Sequence, residues 1–138
     1  MVKVTQPDRL YDVAVIGAGP AGAQAAISAA HQLRHVVVFD AGQVSQRIGR
    51  AYWSKSVEIE DAPVFEGVTG PKLIKALHQW MASRPVKEIT ISGDTRLAGI
   101  EIIGGMVLEL VRKPDRIDLV VSTARLKDLK PQKIETFS

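Results

Sequence analysis

Residues 11–42 constrain the fold more than any other stretch, and they read YDVAVIGAGPAGAQAAISAAHQLRHVVVFDAG. A short apolar run ends in glycine, a stretch of small residues opens on Pro20, and a second apolar run, HVVVF, follows. The two runs are typical of strands buried in a parallel sheet, and residues 20–33 between them are typical of a helix. Strand, helix and strand in this order predict an α/β fold that begins with a βαβ unit.

The turn between the first strand and the helix carries the pattern GxGxxG, formed by Gly17, Gly19 and Gly22. The first glycine allows a tight turn, the second leaves room for a pyrophosphate, and the third lets the helix pack on the strand. The helix N-terminus then offers N–H groups and a partial positive charge to the phosphates. The pattern predicts a dinucleotide site at this turn.

An acidic residue, Asp40, follows the second apolar run, 18 positions after Gly22. A carboxylate at the end of this strand accepts hydrogen bonds from ribose hydroxyls, and its charge would repel a 2′-phosphate. The site therefore suits NAD or the adenosine half of FAD better than NADP. The alternative interpretation is a glycine-rich turn beside an unrelated surface aspartate.

The rest of the chain predicts a long loop, one helix and several strands. Residues 41–68 show no period, and so long a loop is usually functional. A helix is predicted from Thr69 or Gly70, with Pro71 in its first turn, to the residue before Pro85. Its predicted core stripe is Leu73, Leu77, Trp80 and Met81. A strand over residues 86–92 and an antiparallel meander over about 95–122 are expected to follow.

Composition places the chain among ordinary soluble domains. It has 138 residues, 46% hydrophobic and 24% charged, and no apolar run near the roughly 20 residues that span a bilayer. No secretory signal is evident, so a cytoplasmic location is the default expectation, without membrane association. There is no cysteine, which excludes disulfides, thiolate metal sites and a redox-active CxxC pair in these residues.

The net charge of +3 arises within residues 112–138, which hold seven basic and four acidic residues. This segment has a single aromatic residue and no dense cationic cluster, so a solvated terminus is expected rather than a nucleic-acid interface. The three histidines, His31, His35 and His78, have no cysteine or carboxylate cluster near them in sequence. They are predicted to have structural or surface roles, and no metal site is predicted.

Three stretches together resemble one family. They are YDVAVIGAGPAGAQAAISAA, EDAPVFEGVTGPKLI at residues 60–74, and LVVSTARLKDLKP at residues 119–131. In this order they resemble the amino-terminal FAD-binding portion of the thioredoxin-reductase-like FAD/NAD(P) oxidoreductases, within the pyridine nucleotide-disulfide oxidoreductase superfamily. The resemblance implies a Rossmann-like FAD-binding domain over residues 1–131, incomplete relative to the family, with residues 132–138 as a tail.

The resemblance also implies which residues hold the cofactor. FAD is the expected cofactor, with its pyrophosphate on Gly17, Gly19, Pro20, Ala21 and Gly22 and its ribose on Asp40, while Ala41 and Arg47 are further candidate contacts. NAD(P)H would bind a second domain absent from these residues. The chain departs from the family at Asp61, where the family has asparagine, and at Thr123, Ala124 and Arg125, where it has Ala-Thr-Gly.

The function favoured at this point is the FAD-binding portion of a flavin-dependent oxidoreductase that accepts hydride from a nicotinamide cofactor. No side chain is predicted to be catalytic, and the 138 residues alone are expected to be inactive. The alternatives are a remnant nucleotide-binding module without activity and a free-standing NAD-binding domain. Tyr52 and Trp53 would either cover the flavin or pack the loop. A homodimer is left open.

Overall fold

The described part of the chain forms two four-stranded sheets and two helices. The computed structural model describes residues 3–5, 10–41, 67–122 and 134–137. The elements, in chain order, are β1 (Lys3–Thr5), β2 (Val13–Ile16), α1 (Pro20–His31), β3 (His35–Asp40), α2 (Gly70–Ala82), β4 (Lys87–Ile91), β5 (Asp94–Gly104), β6 (Met106–Arg112), β7 (Ile117–Ser122) and β8 (Ile134–Phe137). One sheet has the order β2-β3-β5-β4 and the other β1-β8-β7-β6.

The predicted βαβ unit is confirmed by β2, α1 and β3. The two strands pair in parallel, with Val13 opposite Val36 and Ile16 opposite Phe39. Because side chains alternate across a strand, β3 contributes to two cores: Val36 and Val38 pack beneath α1, and Val37 and Phe39 face the other sheet. This explains why HVVVF is a continuous apolar run, since both of its faces are covered.

Small side chains let α1 lie close to the sheet. Its buried residues are Ala23, Ala26, Ile27 and Ala30. The helix ends at His31, two residues before the predicted end, because the N–H groups of Gln32 and Leu33 donate back to the carbonyls of Ala29 and Ala30. Leu33 then adopts a left-handed conformation, with φ of 59°, and such a residue commonly terminates a helix.

Helix α2 begins after its cap Thr69, with a proline in its first turn as predicted, and ends at Ala82. Its buried face is formed by Gly70, Leu73, Ile74, Leu77 and Met81. The prediction that Trp80 belongs to the core is wrong, because its side chain is 40% exposed. At 100° per residue Trp80 lies roughly 80° from the centre of the buried stripe, and His78 lies at a similar angle on the opposite flank.

The expected meander is confirmed in part. Strands β6, β7 and β8 pair antiparallel in sequence, but β5, the predicted first strand of the meander, belongs to the other sheet. It runs parallel to β3, with His35 opposite Gly99, and antiparallel to β4 in a hairpin. Residues 94–98 form the hairpin with β4, and the first four of them are exposed, whereas residues 99–104 pair with β3 in the parallel sheet.

The two sheets meet through a second core cluster of Val37, Phe39, Leu119 and Val121. Phe39 is 1% exposed and is the largest fully buried side chain among the described residues. Strand β7 is held on both sides, by β6 and by β8. Strand β8 lies within residues 132–138, the segment for which the sequence suggested a tail, and it also pairs in parallel with β1.

The charged turn before β7 contains an ion pair. The Arg116 guanidinium donates from Nε to Asp118 Oδ1 at 2.9 Å and lies 3.8 Å from Asp115. The hydrogen bond and the charge of Asp118 raise the pKa of Arg116 above its ordinary value. Arg116, a cation of the basic segment 112–138, is therefore paired within the fold.

Ser122 is the last residue of β7. Its hydroxyl is buried and has no hydrogen-bond partner in the described structure. A buried hydroxyl without a partner loses its hydration and gains nothing in return. We expect Ser122→Ala to leave the free energy of unfolding unchanged or to raise it by up to about 1 kcal/mol. Urea denaturation measures this, with the exposed Ser28→Ala as the control. A loss above about 1 kcal/mol would show that Ser122 Oγ has a partner after all.

Candidate dinucleotide-binding site

The glycine turn has the conformation that its sequence predicts. Gly17 has φ of +104°, which disfavours any residue with a side chain, and an added Cβ would have no atom within 4 Å. Its N–H donates to the Phe39 carbonyl at 2.9 Å, so the turn is attached to β3 as well as to β2. Glycine is therefore required here by backbone conformation and not by lack of space.

Gly22 is required for the opposite reason. A Cβ at this position would overlap the carbonyl oxygen of Gly17 and lie 3.2 Å from Cγ1 of Val15. The first turn of α1 therefore rests directly on the backbone of the loop. This is the close helix–strand packing predicted for the third glycine.

Gly19 differs from both of its neighbours in the pattern. It is the N-cap of α1, with φ of −79° and ψ of −170°, a conformation open to any residue. Its backbone geometry does not require glycine. The reason that the GxGxxG pattern predicts for it is the space that a missing side chain leaves for a pyrophosphate.

The start of α1 presents donors to this space. The helix opens with Pro20, and the Ala23 N–H donates to the Gly19 carbonyl at 2.8 Å. The N–H groups of Ala21 and Gly22 precede this bond and belong to the first turn, whose amides have no acceptor within a helix. No acidic side chain lies in the first turn. The partial positive charge of the helix end is therefore not offset locally, which favours an anion.

Asp40 lies at the same edge of the sheet as the glycine turn. Parallel pairing places Ile16 opposite Phe39, so Gly17 and Asp40 both follow at the carboxyl ends of adjacent strands. The Asp40 carbonyl accepts from the Gly105 N–H at 3.1 Å, and its side chain is 13% exposed. The glycine turn, the start of α1 that follows it and the carboxylate thus lie at the same edge of the sheet.

A histidine that the sequence analysis did not assign to the site contacts this carboxylate. His78 Nε2 lies 3.5 Å from Asp40 Oδ2, and its side chain is 32% exposed. The sequence predicts a structural or surface role for His78, and its pairing with Asp40 could not be seen in the sequence because it depends on how α2 packs. The available signal was its position on the flank of the apolar stripe of α2.

The other two histidines have the structural or surface roles predicted for them. The His35 ring lies 4.5 Å from the ring of Tyr11, and its Nδ1 donates to the Leu10 carbonyl at 3.0 Å. The Tyr11 hydroxyl in turn donates to Glu101 at 2.6 Å. These contacts lie at the amino end of β3, away from the glycine turn. His31 is exposed at the end of α1.

Several predicted positions cannot be placed. Ala41 is half-buried directly after β3 and ends the described segment. The others fall outside the described residues: Arg47, Tyr52, Trp53, Asp61, Thr123, Ala124 and Arg125.

Within the described ranges no group of three metal-binding side chains is present. In the same ranges no helix has the length and apolar character needed to cross a membrane.

A family model described as "FAD binding domain" matches residues 12–57, which include the glycine turn and Asp40. Two curated relatives are a ferredoxin–NADP reductase from Limosilactobacillus reuteri, 33% identical over 82 residues, and a thioredoxin reductase from Mycolicibacterium smegmatis, 39% identical over 71 residues. The chain has a Rossmann-like FAD-binding fold and is similar in sequence to these reductases. The thioredoxin reductase of Lactococcus lactis has the same fold as 91% of this domain, with a TM-score of 0.61 and 22% identity.

The FAD-binding domain corresponds to only part of these proteins. The matches cover 59% and 51% of its residues but 24% and 21% of the two relatives, and the structural match covers 33% of the Lactococcus chain. The FAD-binding domain thus spans between a fifth and a third of each of these three proteins.

Proposed function

We propose that the FAD-binding domain holds FAD for an oxidoreductase that accepts hydride from a nicotinamide cofactor. The observation that carries the proposal is the convergence of the glycine turn, the start of α1 and Asp40 at one edge of the parallel sheet. Ligands of open α/β sheets bind at the carboxyl ends of the strands. The match to the FAD-binding family over these same residues supports FAD as the ligand.

In this proposal each feature of the site contacts a different part of the cofactor. The pyrophosphate lies against Gly17, Gly19 and the helix start at Pro20, Ala21 and Gly22, where N–H groups and the helix dipole favour its charge. The Asp40 carboxylate accepts from hydroxyls of the adenosine ribose. Ala41 and Arg47 are further proposed contacts, on the basis of the family resemblance.

The chain's own residues supply binding and orientation, and the flavin supplies the capacity to accept hydride when it is bound. The half-buried Asp40 and the backbone donors of α1 fix the adenosine end of the cofactor. The donor of hydride, the final electron acceptor and the assembly state belong to the whole protein. We propose a nicotinamide donor for it because the curated relatives are reductases.

Substitution of Gly19 by valine tests this assignment. We expect Gly19→Val to weaken FAD binding at least about tenfold, because the side chain enters the space assigned to the pyrophosphate. The fold should persist, since φ of −79° suits a branched residue. Quenching of flavin fluorescence on titration measures the affinity, and circular dichroism checks the fold.

The matched comparison introduces valine at an exposed position of α1, Ala25→Val. Ala25 lies more than one helical turn beyond the glycine loop. This variant controls for the lower helix propensity of valine and should bind FAD like the parent. Equal affinity of Gly19→Val and Ala25→Val for FAD would refute the assignment. Stronger binding of NAD than of FAD by the parent would instead favour an NAD-binding domain.

A further inference from the structure

The Asp40 carboxylate is contacted by a side chain from outside the βαβ unit. His78 Nε2 on α2 lies 3.5 Å from Oδ2 of Asp40. The two side chains are 32% and 13% exposed, so the contact is formed at the border of the site and is partly shielded from water. Neither the glycine pattern nor the family match over residues 12–57 includes this histidine.

The position of His78 is determined by the packing of α2. The preceding residue, Leu77, is 5% exposed, and Met81, one turn further on, is fully buried in the core shared with α1. A residue next to such an anchor, on a helix that packs along its length, has little freedom to move away. The backbone of His78 is therefore fixed relative to the end of β3, and only rotation about the side-chain bonds can move the imidazole.

The chemistry of the pair allows a shared carboxylate. An imidazole Nε2–H is a donor in one neutral tautomer and in the protonated form. An ionised carboxylate has two oxygens and about four acceptor positions. Asp40 can therefore accept from His78 and from ribose hydroxyls at the same time, and the contact with His78 restricts the rotation of its carboxylate.

We propose that His78 is a positioning residue of the ribose subsite, which orients the Asp40 carboxylate toward the hydroxyls of an adenosine ribose. The proposal rests on the role given to Asp40 in the proposed function. An acceptor held in the required orientation loses less freedom on binding than a free one, and this increases affinity for the ligand that uses it. The gain in affinity is limited to nucleotides that carry the ribose hydroxyls to which Asp40 binds.

A purely structural role of His78 predicts a different result. If the contact only attached α2 to β3, its loss would lower stability and would weaken all adenine nucleotides alike. A positioning role predicts that the preference for the intact ribose decreases, whatever happens to affinity in general. The ratio of affinities for a ribonucleotide and its deoxy analogue separates the two roles.

The experiment is calorimetric titration of the 138-residue chain with ADP, 2′-deoxy-ADP and 3′-deoxy-ADP. The parent should prefer ADP over at least one deoxy analogue by about tenfold or more, because a hydrogen bond to a charged group is lost. In His78→Asn, which has a shorter side chain, this preference should fall to about threefold or less. In His78→Gln, whose Nε2 donor occupies the place of the imidazole Nε2, the preference should stay within about threefold of the parent value.

Each outcome has a distinct meaning. If the parent shows no preference for ADP, or does not bind it, the role of Asp40 in the proposed function is wrong and the inference falls with it. If the parent shows the preference and His78→Asn retains it, the proposed function stands and the positioning role is refuted. If His78→Asn does not fold, the ratio of affinities for ADP and its deoxy analogues is measured in His78→Ala and His78→Gln instead. The positioning role then predicts that His78→Ala loses the preference for ADP and that His78→Gln keeps it.

Discussion

Replacement of Gly99 by alanine is expected to lower the free energy of unfolding by about 3–5 kcal/mol, a large share of a typical domain's stability. Gly99 has φ of +120°, and its Cβ would overlap the Pro85 carbonyl oxygen and lie 2.8 Å from Cα of Val86. The neighbouring atoms are backbone, and the Ile100 N–H binds the Arg84 carbonyl at 2.8 Å, so they cannot easily move away. Urea denaturation followed by circular dichroism measures the loss.

Gly93→Ala is the matched control for this substitution. Gly93 also has a positive φ, +84°, but an added Cβ would have no atom within 4 Å. Its substitution should cost only the conformational penalty, about 1–2 kcal/mol. Equal losses at the two positions would show that the close approach of residues 84–86 to β5 does not contribute.

Truncation of Phe39 to alanine is expected to cost about 3–5 kcal/mol. Phe39 is 1% exposed and forms the contact of the parallel sheet with Leu119 and Val121 of the second sheet. The cavity left behind would lie between two sheets that cannot both collapse into it. Because the Phe39 carbonyl also holds the Gly17 N–H at 2.9 Å, flavin affinity should be measured together with stability.

The control for this truncation is Leu97→Ala on the exposed part of β5, where the side chain is 47% exposed. It should change the free energy of unfolding by no more than about 0.5 kcal/mol. Phe39→Leu keeps most of the volume and should lose less than Phe39→Ala. A loss below about 1 kcal/mol in Phe39→Ala would contradict the view that this residue joins the two sheets.

The local features of the site could be predicted from the sequence because they depend on near neighbours. The turn at Gly17, the start of α1 at Pro20 and the strand ending at Asp40 lie within one βαβ unit, and their physical roles follow from spacing alone. The structure agrees with the predicted conformations of Gly17 and Gly22. The contacts of these residues with the cofactor itself stay predictions.

The features that could not be predicted depend on packing between distant segments. Strand β5 pairs with β3, a segment about 60 residues earlier in the chain. An alternating pattern predicts a strand but does not say which sheet the strand will join. Trp80 and His78 lie on opposite flanks of the stripe of α2, and only the neighbours of the helix decide what each flank meets. The hydrophobic pattern predicted that α2 is amphipathic but not where the edge of its buried face lies.

The overlap that any side chain on Gly22 would have with Gly17 also has an evolutionary consequence. A substitution at Gly22 alters the turn and the helix together, so variation at this position is removed through loss of folding before any change of ligand can be selected. Asp40 and His78, in contrast, meet only through their side chains, and this contact does not fix a backbone position. Under the role proposed for Asp40, new nucleotide preferences should therefore arise at this contact, while Gly22 stays constant.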